Sequence, residues 1–215
     1  LGDALNSSTI ESTPAEIGIV TRKRPGPYLI RRGHFTLIDD DAGALVPQAH
    51  QLAWKQLTDE KIIFLVRDPR AICVSGAYHW QVSNEVFLER MIRGDVAGCG
   101  RWDEYCEKWY YLGNRRMTIM TYERLLDYPQ FWIQRALRRI DVQYEDNRLI
   151  QAIKRQSFAT RKAEIGDNEA ELRRQNIHTG IVGNWRNYFT PAMNEQIWNE
   201  FGWMMEKLGY NDKLG

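Results

Sequence analysis

No stretch of the chain stays apolar for the roughly 20 residues that a membrane-spanning helix needs. Cysteine is scarce: Cys73, Cys99 and Cys106 are the three present, an odd number without metal-ligand spacing. That sets aside a disulfide scaffold and a zinc site, and it fits a reducing, cytoplasmic compartment. Neither sign of charge is in excess, with 29 Lys and Arg against 28 Asp and Glu and a net charge of +1. Nothing global therefore points to nucleic acid or to an anionic membrane, and any anion site must be local. Internal repeats and low-complexity tracts are missing, as is a Gly-x-x-x-x-Gly-Lys-Ser/Thr loop, which ranks a nucleotide kinase low. No signal-peptide pattern is legible at the start. The first residue is Leu1 rather than an initiator methionine, so the numbering is expected to begin inside a longer protein.

What is present suits one soluble α/β domain covering residues 1–215, with little room for a second. Apolar residues make up 43% and charged residues 27%, both ordinary values. Eight tryptophans and ten tyrosines are above the usual level. They serve either a thick aromatic core or a pocket for a flat partner, and the core reading is preferred.

The stretch Lys61–Trp80 organises the chain. Ile62 to Val66 is a continuous, β-branched apolar run that reads as a strand buried on both faces of a parallel sheet. Arg67 ends it. Asp68 then stands at a helix N-cap with Pro69 in the first helical position. A cation at the carboxyl end of a buried strand, beside a helix N-terminus, is placed to bind an anion. Ser75, two turns into that helix, can add a hydroxyl. The other reading of Arg67 is a plain ion pair with a carboxylate.

Elsewhere, residues 1–27 read as a loop-rich connection with at most a short helix, and Tyr28–Ile30 as a brief strand. Pro47–Leu57 reads as a helix, and Asp39–Asp41 as a solvated acidic turn rather than a metal site. Gly94–Gly100 reads as a loop. Trp102, Tyr105, Cys106 and Trp109 follow helical spacing, and Met117–Thr121 is a second buried strand. Tyr128-Pro129 opens a helix with Trp132, Ile133, Ala136, Leu137 and Ile140 on its apolar stripe. Leu149, Ile150 and Ile153 mark another helix, stopping near Ser157-Phe158. Residues 161–176 form a charged surface segment, mobile or helical. The last helix has Thr190 as cap, Pro191 first, Ile197, Phe201, Met204, Met205 and Leu208 buried, and Gly209 as stop. Strands alternating with helices give a three-layer α/β architecture, a central mostly parallel sheet flanked by helices.

Four segments, in order, resemble those of the cytosolic-type sulfotransferases, which move a sulfuryl group from 3′-phosphoadenosine 5′-phosphosulfate (PAPS) to an acceptor hydroxyl or amine. They are Lys61–Trp80, Thr121-Tyr122-Glu123-Arg124-Leu125, Gln156-Ser157-Phe158 and Gly180–Thr190. The last, Gly-Ile-Val-Gly-Asn-Trp-Arg-Asn-Tyr-Phe-Thr, is close to the family's Gly-x-x-Gly-Asp-Trp-Lys-Asn-x-Phe-Thr. Their order and approximate spacing agree with the family from about residue 28 to 208. The resemblance implies a P-loop NTPase-like fold, PAPS as co-substrate without a metal, and a small-molecule acceptor, with no nucleic acid or membrane partner. It implies that Arg67 and Ser75 hold the 3′-phosphate, a charge-assisted clamp. Tyr122 would lie at the adenine edge, and Ser157 and Phe158 would join the nucleotide site, Phe158 stacking on the base. On residues alone, Tyr122 serves equally as a core tyrosine and Phe158 as an apolar plug. His34 would be the general base, since an unperturbed imidazole titrates near neutral pH; otherwise it caps a strand.

The sequence also departs from the family. His178-Thr179-Gly180 stands in place of Arg-Lys-Gly, so two phosphate-binding cations become a titratable ring and a hydroxyl. Pro191 occupies the valine position of the family's dimer segment, so that dimer is not expected and the oligomeric state stays open. The Pro-Lys-Ser-Gly-Thr loop for the 5′-phosphosulfate is not among these residues. The expectation is an N-terminally truncated sulfotransferase. The alternative is a non-catalytic fragment or scaffold that keeps partial adenosine 3′,5′-bisphosphate binding.

Overall fold

The structure is a computed structural model that describes residues 62–96, 100–111, 117–174 and 180–210, together with the strand backbone at 8–11, 29–32, 36–38 and 51–53. In chain order the strands are β1 (Ser8–Glu11), β2 (Leu29–Arg32), β3 (Thr36–Ile38), β4 (Gln51–Ala53), β5 (Ile62–Val66) and β6 (Met117–Thr121). Each pairing is parallel: β1 with β2, β3 with β4, and β5 with β6. The β5–β6 register sets Val66 opposite Thr121, so both strands end at the same edge.

Helix α1 (Pro69–Trp80) starts where the sequence reading put it. Asp68 accepts the Arg70 N–H, and Pro69 sits where its missing N–H leaves nothing unpaired. Then follow α2 (Asn84–Arg93), α3 (Trp102–Tyr111), α4 (Tyr122–Asp127), α5 (Pro129–Arg139), α6 (Asp146–Arg155), α7 (Phe158–Ile165), α8 (Glu169–Arg174) and α9 (Pro191–Lys207). A 3-10 turn, Asn184–Asn187, precedes α9.

The β5–β6 pair lies between two apolar layers. Phe64 and Val66 point into the main core with α1, α2, α3 and α9, and the Trp109 ring stacks on Phe64 at 5.4 Å. On the opposite face Ile63 packs against Leu137, Ile140 and Val142 at and beyond the end of α5. Helix α9 carries the densest stripe, with Ile197, Phe201, Met204 and Met205 all fully buried. Burying one such side chain stabilises the fold by about 1.5–3 kcal/mol. Helices α1 and α2 touch closely because Gly76 has no Cβ; one built there would lie 2.1 Å from the Phe87 ring.

Several expectations need correction. Strand β5 is not buried on both faces: Leu65 is 45% exposed. Pro47–Leu57 is not one helix, since Gln51–Ala53 pairs with β3 and the ladder hydrogen bonds override its weak local helix preference. Ser8–Glu11, expected to be connection, is a strand. The sequence reading passed over α2, whose Ser83 cap accepts the Val86 N–H. The helix of residues 146–155 does stop near Ser157, as expected, but Ser157 then caps a further helix, α7, which the sequence reading passed over. Of the two readings of the charged segment from residue 161, mobile or helical, the helical one holds among the described residues, in two short pieces that end α7 and form α8. Asp39–Asp41 lie outside the described residues.

Candidate functional site

The two parallel strands deliver Arg67 and Tyr122 to one edge. Arg67 follows the last residue of β5 and Tyr122 the last of β6. Their side chains meet, with the guanidinium carbon 4.7 Å from the centre of the Tyr122 ring. The aromatic face favours the cation and keeps it extended. The Nε of Arg67 is buried with no hydrogen-bond partner among the described residues. A buried guanidinium donor without an acceptor costs free energy unless a ligand supplies one, so this edge is chemically able to receive an anion. Of the two sequence readings of Arg67, the plain carboxylate pair is not what the described residues show.

The main chain beside Arg67 is pinned from two directions. The Asp68 N–H donates to Glu123 Oε1 at 3.0 Å. The Asp68 carboxylate takes the Arg70 backbone N–H at 2.9 Å and the Arg70 guanidinium at 2.8–3.2 Å. Glu123 Oε2 in turn accepts the Tyr210 hydroxyl at 3.0 Å, tying the end of α9 to the strand edge. Burial, reinforced by the Glu123 charge, pushes the Tyr210 phenol above its ordinary range. Sequence reasoning missed Glu123, Arg70 and Tyr210. For Arg70 a signal existed, because a capping aspartate with an arginine two residues on is a short-range pair; the links to Glu123 join segments far apart in sequence.

A second group forms around Phe158. Gly180 has φ +64, and a Cβ built on it would fall 2.5 Å from the Phe158 ring, so the backbone lies directly against that ring. Only glycine combines that dihedral with that approach at no cost. Ser157 uses its hydroxyl locally, accepting the Thr160 N–H at 3.2 Å and pairing with Thr160 Oγ1 at 2.8 Å. Ser75 is half-buried on α1. His34, His178 and Thr179 lie outside the described residues. So do Cys99 and His50; Cys73 and Cys106 are free and buried. Burial pushes the Cys73 thiol up to about 12, which suits a packing residue and not a nucleophile.

The Gly180 segment is joined to the Arg67 edge through Arg70, whose guanidinium lies 3.8 Å from the centre of the Trp185 ring. Helix α1 also contacts α8, where the Tyr78 hydroxyl bonds Glu169 Oε2 at 3.1 Å. Three of the sequence-derived segments thus converge on one end of α1. Among the described residues no group of His, Cys, Asp and Glu is arranged to hold a metal ion, and no helix is long and apolar enough to cross a membrane.

Comparison with known proteins gives the same picture at the level of the family. Sulfotransferase 1B1 of Canis lupus familiaris is 27% identical over 193 residues, 81% of this chain and 60% of that protein. Sulfotransferase 2A1 of Rattus norvegicus is 28% identical over 151 residues, 63% of this chain and 53% of that protein. The chain thus spans 53–60% of the length of these two curated relatives. Among solved structures, mouse sulfotransferase SULT7A1 complexed with PAP superposes with a TM-score of 0.64 at 18% identity, over 94% of this chain and 76% of that one. Retinol dehydratase in a complex with retinol and PAP follows at 0.55 and 20% identity, over 75% of this chain and 52% of that one. These likenesses support the α/β fold. The family model described as the sulfotransferase domain matches residues 48–209, three quarters of the chain, and on that match the chain belongs to the sulfotransferase family.

Proposed function

We propose that the chain carries the 3′-phosphoadenosine side of a PAPS-dependent sulfotransferase site. The acceptor is a small molecule with a hydroxyl or an amine. The observation that carries this reading is the buried, unpartnered Nε of Arg67 at the edge where β5 and β6 end. Arg67 and Ser75 hold the 3′-phosphate. Guanidinium and hydroxyl donors suit phosphate oxygens, and a charge-assisted hydrogen bond is worth about 1.5–3 kcal/mol. Tyr122 fixes the direction of Arg67 and stands beside the nucleotide. Phe158, with Gly180 against it, offers a ring to the adenine. Base–aromatic stacking is worth about 1–3 kcal/mol. Ser157 holds the start of α7 and so the placement of Phe158. His178 and Thr179, next to Gly180 in sequence, are assigned to the remaining phosphate contacts.

When bound, PAPS supplies the activated sulfuryl group, with adenosine 3′,5′-bisphosphate as its leaving group. His34 takes the acceptor proton as the new S–O bond forms in line with the one that breaks. The complexes of the structural neighbours with PAP support a nucleotide partner for this fold. The chain has no reactive thiol among the described residues that would support a covalent route.

The test is a thermal-shift titration with adenosine 3′,5′-bisphosphate on wild type and Arg67→Ala. Wild type is stabilised, and the substitution weakens apparent affinity by about tenfold or more. A ligand shift that survives unchanged in Arg67→Ala overturns the assignment. In protein that turns over PAPS, His34→Ala abolishes transfer while nucleotide binding persists.

A further inference from the structure

We propose that Arg70 is a positioning residue that sets the spacing between the two halves of this nucleotide site. It therefore controls discrimination for the 3′-phosphate. This rests on the reading of Arg67 as the 3′-phosphate ligand.

Arg70 is 1% exposed, which is rare for an arginine. Its guanidinium reaches three separate segments. Nε and Nη2 hold the carboxylate of Asp68, the residue directly after Arg67. Its guanidinium carbon lies 3.8 Å from the centre of the Trp185 ring, in the stretch that begins at Gly180. Nη1 donates to Asn194 Oδ1 at 3.3 Å, on α9. The strand end carrying Arg67 and the segment carrying Gly180 therefore share one rigid planar group.

A purely packing role does not call for this chemistry. Burying a charged pair carries a large desolvation cost, and apolar residues of similar volume often replace such pairs without loss of stability. What an arginine adds is direction: a fork that binds a carboxylate bidentately while its face lies on an aromatic ring. Lysine keeps the charge and loses both. The Arg67 main chain is fixed on its other side by Glu123, so Asp68 is held at both its N–H and its carboxylate. Release of the carboxylate leaves Arg67 attached to the sheet but free to rotate relative to Gly180.

The readout is the ratio of dissociation constants for adenosine 5′-monophosphate and adenosine 3′,5′-bisphosphate, measured by calorimetry on the full chain. Wild type prefers the bisphosphate. Arg67→Ala abolishes the preference; if it does not, the 3′-phosphate reading itself fails and this inference with it. Arg70→Lys lowers the ratio by about tenfold while monophosphate binding changes little, as loss of one charge-assisted phosphate contact would produce. Leu137→Ala, near the end of α5 in the apolar cluster on the opposite face of β5, lowers the melting temperature and leaves the ratio intact. That separates positioning from a general loss of stability. Should Arg70→Lys not fold, Asn194→Ala removes one acceptor and keeps the Asp68 pair, and the ratio falls about threefold. An unchanged ratio in the folded Arg70 or Asn194 variant, with Arg67→Ala still defective, overturns the proposal.

Discussion

Glu123 accepts the main-chain N–H of Asp68 at 3.0 Å, across 55 positions of sequence. Its second oxygen takes the Tyr210 hydroxyl, also at 3.0 Å. One side chain in the first turn of α4 thus fixes both the backbone beside Arg67 and Tyr210, three residues past the final helix. Removing it leaves two donors unpaired. Glu123→Ala is expected to lower stability by about 2–4 kcal/mol, because each hydrogen bond to a charged group contributes about 1.5–3 kcal/mol and some rehydration follows. Glu123→Gln keeps one carbonyl acceptor and loses less. Urea denaturation at neutral pH measures both. Equal losses in the two variants would mean that the amide retains nothing of the carboxylate's bonding, and that the single retained carbonyl acceptor contributes nothing there.

The Tyr210–Glu123 bond also predicts an alkaline response. Burial and the nearby carboxylate raise the folded-state pKa of Tyr210 above the unfolded value of about 10. The neutral phenol is therefore the form that the fold favours. Its contribution is fully present below about pH 10, and it declines above that as the unfolded chain ionises first. Wild type should lose up to about 1.4 kcal/mol per pH unit from this group there. Tyr210→Phe should be less stable at neutral pH and show a shallower alkaline decline. Parallel stability–pH curves for the two proteins between pH 9 and 11 would contradict this.

Gly180 against Phe158 gives a sharper test of local geometry. Gly180→Ala forces a Cβ onto the ring and holds alanine at φ +64. The expected loss is about 1–3 kcal/mol, from the left-handed backbone and the displaced ring together. Phe158→Leu combined with Gly180→Ala should recover part of that loss, since the smaller side chain yields. A double-mutant cycle read by thermal denaturation measures the coupling. A coupling near zero would show that the backbone strain alone sets the cost.

Sequence and tertiary structure divided the problem along physical lines. Local chemistry was legible wherever the cause lay within a few residues. Asp68-Pro69 and Thr190-Pro191 announce helix starts because a capping side chain bonds an N–H two or three positions on. The apolar spacing from Ile197 to Met205 showed the buried face of α9, for a helix repeats every 3.6 residues. The family, too, could be read from four ordered segments. Pairing was not legible. Gln51–Ala53 became a strand through its partner in β3. Leu65 stayed 45% exposed although its strand is as apolar as a buried one, because burial depends on what is laid over each face. At the site, sequence alone placed Arg67 at the end of a strand beside a helix start, and there its influence stopped. That the Tyr122 ring would lie under it, that its Nε would be left without an acceptor, and that Arg70 would bind Asp68 to Trp185 were decided only by tertiary packing. The Arg67–Tyr122 and Arg70–Trp185 contacts join residues tens of positions apart, and each needs both segments already folded before it gains anything; the Arg70–Asp68 pair, two positions apart, is the local exception.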